Sequence, residues 1–253
     1  PVTSYNSSDY SAASQNWGLS ADANGTLYAA NNEGLLRFDG QRWELYTLPN
    51  KTILRSVFCL GTRIYTGSYE EFGYWTNDEF GSLEYTSLSP LIKSKYANEE
   101  FWQITAWKDK VIFRSFGNLY IYDGESIKTY KPSEIITALD VVNNQLFLGT
   151  NSGRIIEFTS GKFNARTSTN TNQTAIIELT SYKNTSLAGT RTKGLFALEN
   201  DKLVPWGSEN LTRFLEVNEL NKVEVFNDDL LIIGTVKGGI IYYNPKTGAI
   251  KNH

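Results

Sequence analysis

The chain is 253 residues long and carries 24 Lys and Arg against 27 Asp and Glu, a net charge of -3 with a pI near 5.4. No Lys/Arg cluster stands out, so its electrostatics do not suit nucleic acid. A single cysteine, Cys59, excludes an internal disulfide and fits either the cytoplasm or a bacterial periplasm, and no run of about 18 apolar residues offers a membrane-spanning helix.

The chain begins at Pro1 and contains no Met, so the expectation is that a signal peptide or an upstream domain precedes it. Its 15 Tyr, 13 Phe and 6 Trp, with frequent Asn and Thr, suit many short strands joined by turns. Six segments share one kind of ending: LYAAN, IYTGS, VIFRS, LFLGT, SLAGT and LIIGT. They end at residues 31, 68, 115, 150, 190 and 235, which stand 37, 47, 35, 40 and 45 residues apart. That is the period of four-stranded propeller blades, roughly 40 to 50 residues. Each ending follows an apolar strand and precedes a turn and another aromatic or apolar strand, as antiparallel hairpins require. The predicted fold is all-β: a single β-propeller domain over 1–253, with six blade repeats visible as part of a seven-bladed or larger propeller.

In chain order, segment 1–13 is expected to supply an outer strand that ties the ring shut. Blade one covers 14–50 and contains the Asp39-Gly40 turn, which can take the positive φ of a tight hairpin. Trp43 lies just past that turn on the outer strand, where Ile127, Phe163 and Leu203 stand in later blades, and is expected to cover a seam between blades. Blade two covers 51–90, and LSPLIKSKYANEE (88–100) is a helix-tolerant insertion that lengthens its period. Blade three covers 99–132 with a second Asp-Gly turn at Asp123-Gly124. Blades four, five and six cover 133–167, 172–209 and 213–253, with a further helix-tolerant stretch at 206–216 and a longer hairpin loop, NPKTG, at 244–248.

The stretch SQNWGLSADANGTLYAANNEGLLRFDGQRWELYTLPN, followed by ILRSV, IYTGSYEEFGYW and LEYTSLS, resembles a known family, and the likeness returns at EFWQI and GTVKGGIIYYNPKTG. That family is the N-terminal propeller of bacterial extracytoplasmic sensor-regulators with two-component-regulator propeller repeats. The resemblance implies a periplasmic domain followed by another blade and a triple-tyrosine immunoglobulin-like domain. It further implies a transmembrane helix, a coiled coil and a LuxR-type helix-turn-helix. Hybrid two-component sensors, with a histidine kinase as output, are cousins. Membrane attachment would come only through segments downstream of this chain.

Residues for catalysis are scarce. His253 is terminal and alone, so no Ser-His-Asp or Cys-His pair can be built on a fixed scaffold. Cys59, in SVFCLG, reads as a buried structural thiol. No phosphate loop, zinc cluster or calcium loop is present, so neither cofactor nor metal is expected. Glu70-Glu71 and Glu99-Glu100 are adjacent carboxylates, which point to opposite faces of a strand and read as solvated in a loop. The chain is therefore expected not to be an enzyme.

A ligand would sit where the inner strands begin, at Trp17, Arg55, Trp102, Thr137, Ile176 and Glu224. Trp17, Arg55 and Trp102 stand out, because inner strands otherwise favour small or β-branched residues. Indoles stack on sugar rings and Arg holds carboxylates, a combination suited to an oligosaccharide, including an acidic one. The structural alternative is that both tryptophans pack between blades. Glu71, Trp75 and Arg114 are expected to approach the same face from the loops. The partners this predicts are a small-molecule or oligosaccharide signal and a homodimer. The readings set against a sensor are a protein-interaction scaffold and a polysaccharide-active enzyme, which would need converging Tyr, Arg and acid side chains.

Overall fold

In the computed structural model, which describes residues 3–92, 98–167 and 174–252, twenty-four strands form six four-stranded antiparallel sheets. Each sheet lays four consecutive strands side by side in chain order. The blades span 16–46, 54–87, 103–130, 136–165, 176–206 and 220–252, and the fold is an all-β β-propeller. Second strands such as Gln145–Thr150 are buried on both faces, which explains their unbroken apolar runs. Fourth strands such as Lys162–Ala165 are largely exposed and correspondingly polar.

The turns follow backbone chemistry, with one difference from expectation. Asp39-Gly40 and Asp123-Gly124 begin four-residue loops, between the pairs Phe38–Trp43 and Tyr122–Ile127. Gly40 and Gly124 take φ of 97° and 100°. The Asp39 carboxylate accepts from the Gln41 and Arg42 amides at 2.8 and 2.9 Å. Two-residue turns with both residues at positive φ occur instead at Asn143-Asn144 (49° and 63°) and Asn200-Asp201 (48° and 60°).

The chain divides into two compact units, 1–131 and 132–253, each of three blades. In the first, Tyr28, Leu35, Leu54, Ile64 and Trp75 fill the layer between blades one and two. Phe72, Phe101, Phe113 and Tyr120 make an aromatic layer between blades two and three. In the second, Phe147, Ile155 and Ile176 lie between blades four and five, and Leu195, Leu220, Val223 and Ile241 between five and six. One device recurs in both units. An apolar residue at the start of one blade (Phe101, Ile176, Leu220) presses on a bare α-carbon in the second strand of the blade before it (Gly67, Gly149, Gly189).

No described residue of segment 1–13 lies in a strand. Among its described residues, α1 (Ser7–Tyr10) forms a helical turn closed by a capping box between Asn6 and Asp9. Tyr10 and Tyr5 lie 5.7 and 5.5 Å from Trp43, ring centre to ring centre, and Phe38 stacks on Trp43 at 4.6 Å. Trp43 therefore anchors the N-terminal segment on blade one and does not cover a seam between blades. The expected helix near 206–216 is α2 (Glu209–Asn218), capped by Ser208 and seated through the fully buried Leu211 and Leu215. Of 88–100, the described part contains a single 3-10 turn, Ser89–Leu91, while 93–97 and His253 lie outside the described residues. Cys59 is half-buried, and burial pushes its thiol pKa up.

Candidate functional site

The first strands of the blades are not regular. In blades one and two a single extra residue is inserted opposite the second strand, and those residues are Trp17 and Arg55. A bulge of this kind re-aims its side chain. Trp102 immediately precedes the first strand of blade three, Gln103–Trp107, and its amide donates to the Arg114 carbonyl at 2.9 Å. Three successive blades thus deliver their odd side chains to one place.

The guanidinium carbon of Arg55 lies 4.5 Å from the Trp17 ring centre and 4.7 Å from that of Trp102. The two indoles meet edge to face at 5.6 Å. Cation–π attraction therefore holds the three as a compact triangle. Glu100, brought in by the end of the insertion, accepts from Arg55 Nη2 at 3.1 Å and offsets its charge. Trp17 Nε1 donates to Asn32 Oδ1 at 2.7 Å, which fixes the ring while leaving the residue 39% exposed. Phe116, 45% exposed, extends the aromatic surface 5.6 Å from Trp102. Arg114 is buried and lies over Phe116 at 5.6 Å. Arg55 Nε and Trp102 Nε1 are buried donors without a hydrogen-bond partner among the described residues, an arrangement that is costly unless an acceptor arrives.

Four of the six residues expected at the site are therefore together: Trp17, Arg55, Trp102 and Arg114. Glu71 and Trp75 are not. Glu71 accepts from the hydroxyls of Tyr85, Ser87 and Ser89 at 2.9, 2.8 and 3.0 Å, which ties down the outer part of blade two. Trp75 is 3% exposed and donates to Thr66 Oγ1 at 2.9 Å, because its strand position faces the core. Phe116 and Glu100 were not singled out as ligand residues. An aromatic in the SFGN turn was the available signal for the first, and nothing in sequence spacing brings Glu100 to Arg55. The adjacent carboxylates are split between partners: Glu99 accepts from Asn118 Nδ2 at 2.5 Å while Glu100 takes Arg55.

In the second unit, Thr137 is the bulge residue of blade four, and its hydroxyl donates to the Ile176 carbonyl at 2.5 Å. Ile176 is fully buried, and the bulge residue of blade five is Ile177. Glu224 is exposed, 3.8 Å from Lys222. A cluster that no sequence spacing brings together forms around that lysine. Glu178, 6% exposed, accepts from Lys222 Nζ at 2.9 Å. Burial pushes its carboxyl up to about 7, against the pull of the ammonium. Asp140 is also raised, chiefly by burial, and Lys222 is raised by its carboxylate neighbours despite desolvation. Among the described residues no three His, Cys, Asp or Glu are grouped to hold a metal.

No family model and no curated protein matches the chain. Solved structures do. The extracellular domain of BT4673 from B. thetaiotaomicron superposes with a TM-score of 0.73 at 16% identity, covering 94% of this chain and 32% of that one. It is described there as a putative hybrid two component system, and in a second structure, with a TM-score of 0.72, as a putative one component system. The computationally designed Ika8 protein superposes with a TM-score of 0.67 at 15% identity, over 94% of this chain and 74% of that. YCF48 bound to D1 peptide does so with a TM-score of 0.69 at 11% identity, over 94% and 80%. These likenesses show the propeller fold. The chain spans about a third of the length of the BT4673 domains.

Proposed function

We propose that the chain is the ligand-sensing propeller of a bacterial extracytoplasmic sensor-regulator and that its signal is carbohydrate-derived. The observation that carries this reading is the convergence of Trp17, Arg55 and Trp102 from three successive blades, with Phe116 beside them. Aromatic faces stack on the C–H faces of sugar rings, and the two unpartnered donors suit hydroxyl oxygens. Because Glu100 already occupies Arg55, a neutral saccharide suits the site better than an acidic one. The domain does no chemistry of its own. It acts in the periplasm as the sensing part of a membrane-attached regulator. The similarity to the extracellular domain of BT4673, described as a putative one component or hybrid two component system, supports the reading. Isothermal titration with neutral and uronate-containing oligosaccharides tests it. Saturable binding of a neutral member is the expected result, and binding of acidic members alone, unchanged by Arg55→Met, contradicts it.

A second reading, a dimerisation or interaction scaffold, is favoured by exposed apolar residues on blade six: Phe226 at 69% and Val236 at 52%. A concentration-dependent mass in solution, lost in Phe226→Ser, would support it.

A further inference from the structure

The second unit contains a groove of about 350 Å³ at the hairpin ends of blades four and five. That volume lies within the range of small-molecule sites. Three side-chain amides reach it from three separate turns. Asn143 comes from the turn between the first two strands of blade four. Asn184 comes from the corresponding turn of blade five, and Asn200 from the turn between its last two strands. None of the three side chains hydrogen-bonds to another described residue. Each amide therefore keeps two donor hydrogens and an acceptor oxygen free.

Hairpin-turn chemistry places Asn143 and Asn200, which take positive φ, but it does not require the third amide. Asn184 is not at positive φ; its neighbour Lys183 is, at 54°. Ser186 also lines the groove, and its hydroxyl makes no hydrogen bond to the described residues.

The charges in the groove are already used. Arg166 donates to Asp201 at 2.8 Å and to Glu157 at 2.9 Å. An anionic ligand would have to compete with both carboxylates, and a cation would meet Asp201 already paired. Phe147, 5% exposed, supplies a limited apolar wall beneath the amides. Neutral polar groups in excess, fixed charges and one aromatic edge together describe a receptor for hydroxyls.

We propose that this groove is a second binding site, for a neutral hydroxyl-rich small molecule of the mono- or disaccharide class. It is independent of the Trp17 cluster and does not require that cluster to bind anything.

The test is a nitrogen–proton correlation titration of the whole chain with D-glucose, D-galactose, maltose and cellobiose in turn. At least one should give saturable shifts of the backbone amides at 143–145, 184–186 and 200–201. Asn184→Leu should weaken that saccharide by about tenfold, the loss of one to two hydrogen bonds, and Asn200→Leu, in a different turn, should do the same. Trp17→Ala should leave the affinity unchanged. Melting temperatures of the variants check that the fold is kept. Absence of shifts at all three turns with every sugar, or shifts that vanish in Trp17→Ala and persist in both Asn variants, would overturn the proposal.

Discussion

Phe101 of blade three sits against the bare α-carbon of Gly67 in blade two: a β-carbon added there would lie 2.6 Å from the Phe101 β-carbon and from its carbonyl oxygen. Neither atom is the movable end of a side chain. Gly67→Ala is therefore expected to cost about 1–3 kcal/mol, the usual range for forced overpacking. Gly149→Ala meets Ile176 at 2.6 Å and should cost a similar amount. Gly234→Ala is the control, because its nearest neighbour would be Lys222 Cβ at 4.0 Å. Urea unfolding of the three variants checks this; equal losses at all three would contradict the packing account.

The repeat itself was legible from sequence. The endings at 68, 150 and 190 mark second strands, and the residue before each is glycine because the next blade presses on it there. Trp17, Arg55 and Trp102 were legible because large side chains are conspicuous where inner strands begin. Trp75 was misleading: a single-residue change of register decides whether a strand residue faces the core, and composition does not carry register. Glu100 and the Glu178–Lys222 pair were invisible because their partners lie 45 and 44 residues away. The N-terminal turn was misread because the Asn6–Asp9 capping signal outweighs the strand preference of its neighbours.

Arg55 orders the aromatic triangle through its flat guanidinium. Arg55→Lys keeps a charge for Glu100 but loses the planar stack on both indoles. The expected loss of stability is about 1 kcal/mol, with a shift in tryptophan emission as Trp17 and Trp102 loosen. An unchanged emission spectrum would show that the rings are held by other contacts.

Stability should depend on pH through Glu178. Its carboxyl is raised from 4.5 to about 7 in the folded chain, so folding takes up a proton between those values. The contribution of this group is therefore fully present below about pH 4.5, declines as pH rises through 7, and is level above. Asp140 is shifted in the same direction, and the charged groups around the pair are Lys222 and Glu224. Asp39, Asp123, Glu134 and Glu219 are lowered and act in the opposite sense under acid. Comparison with Glu178→Gln isolates the effect. Urea unfolding at about pH 5 and about pH 8 should show a smaller alkaline loss in the variant than in the parent; identical differences would contradict the assignment.

The loop after Phe38 needs Gly40 at φ 97° and the Asp39 carboxylate on two amides. Replacing both residues with Val forces a β-branched side chain into the left-handed region and leaves those amides uncapped. A loss of about 2–3 kcal/mol is expected, read as a lower thermal midpoint. An unchanged midpoint would contradict this description of the hairpin.

The central claim is that the Trp17–Arg55–Trp102 triangle receives a carbohydrate. A thermal-shift screen against oligosaccharides released from plant, host and microbial glycans tests it most directly, with the Asn184→Leu, Asn200→Leu double variant as the parent so that the groove of blades four and five adds no binding, and with Trp17→Ala or Trp102→Ala placed on that parent. A ligand that binds only the folded chain stabilises it by about 2.7 kcal/mol at a hundred times its Kd. The account predicts a saturable rise with one class of glycan that is lost in both variants, while both variants without glycan still melt cooperatively near the parent. A rise that survives intact in both variants, or no rise with any glycan, would contradict it.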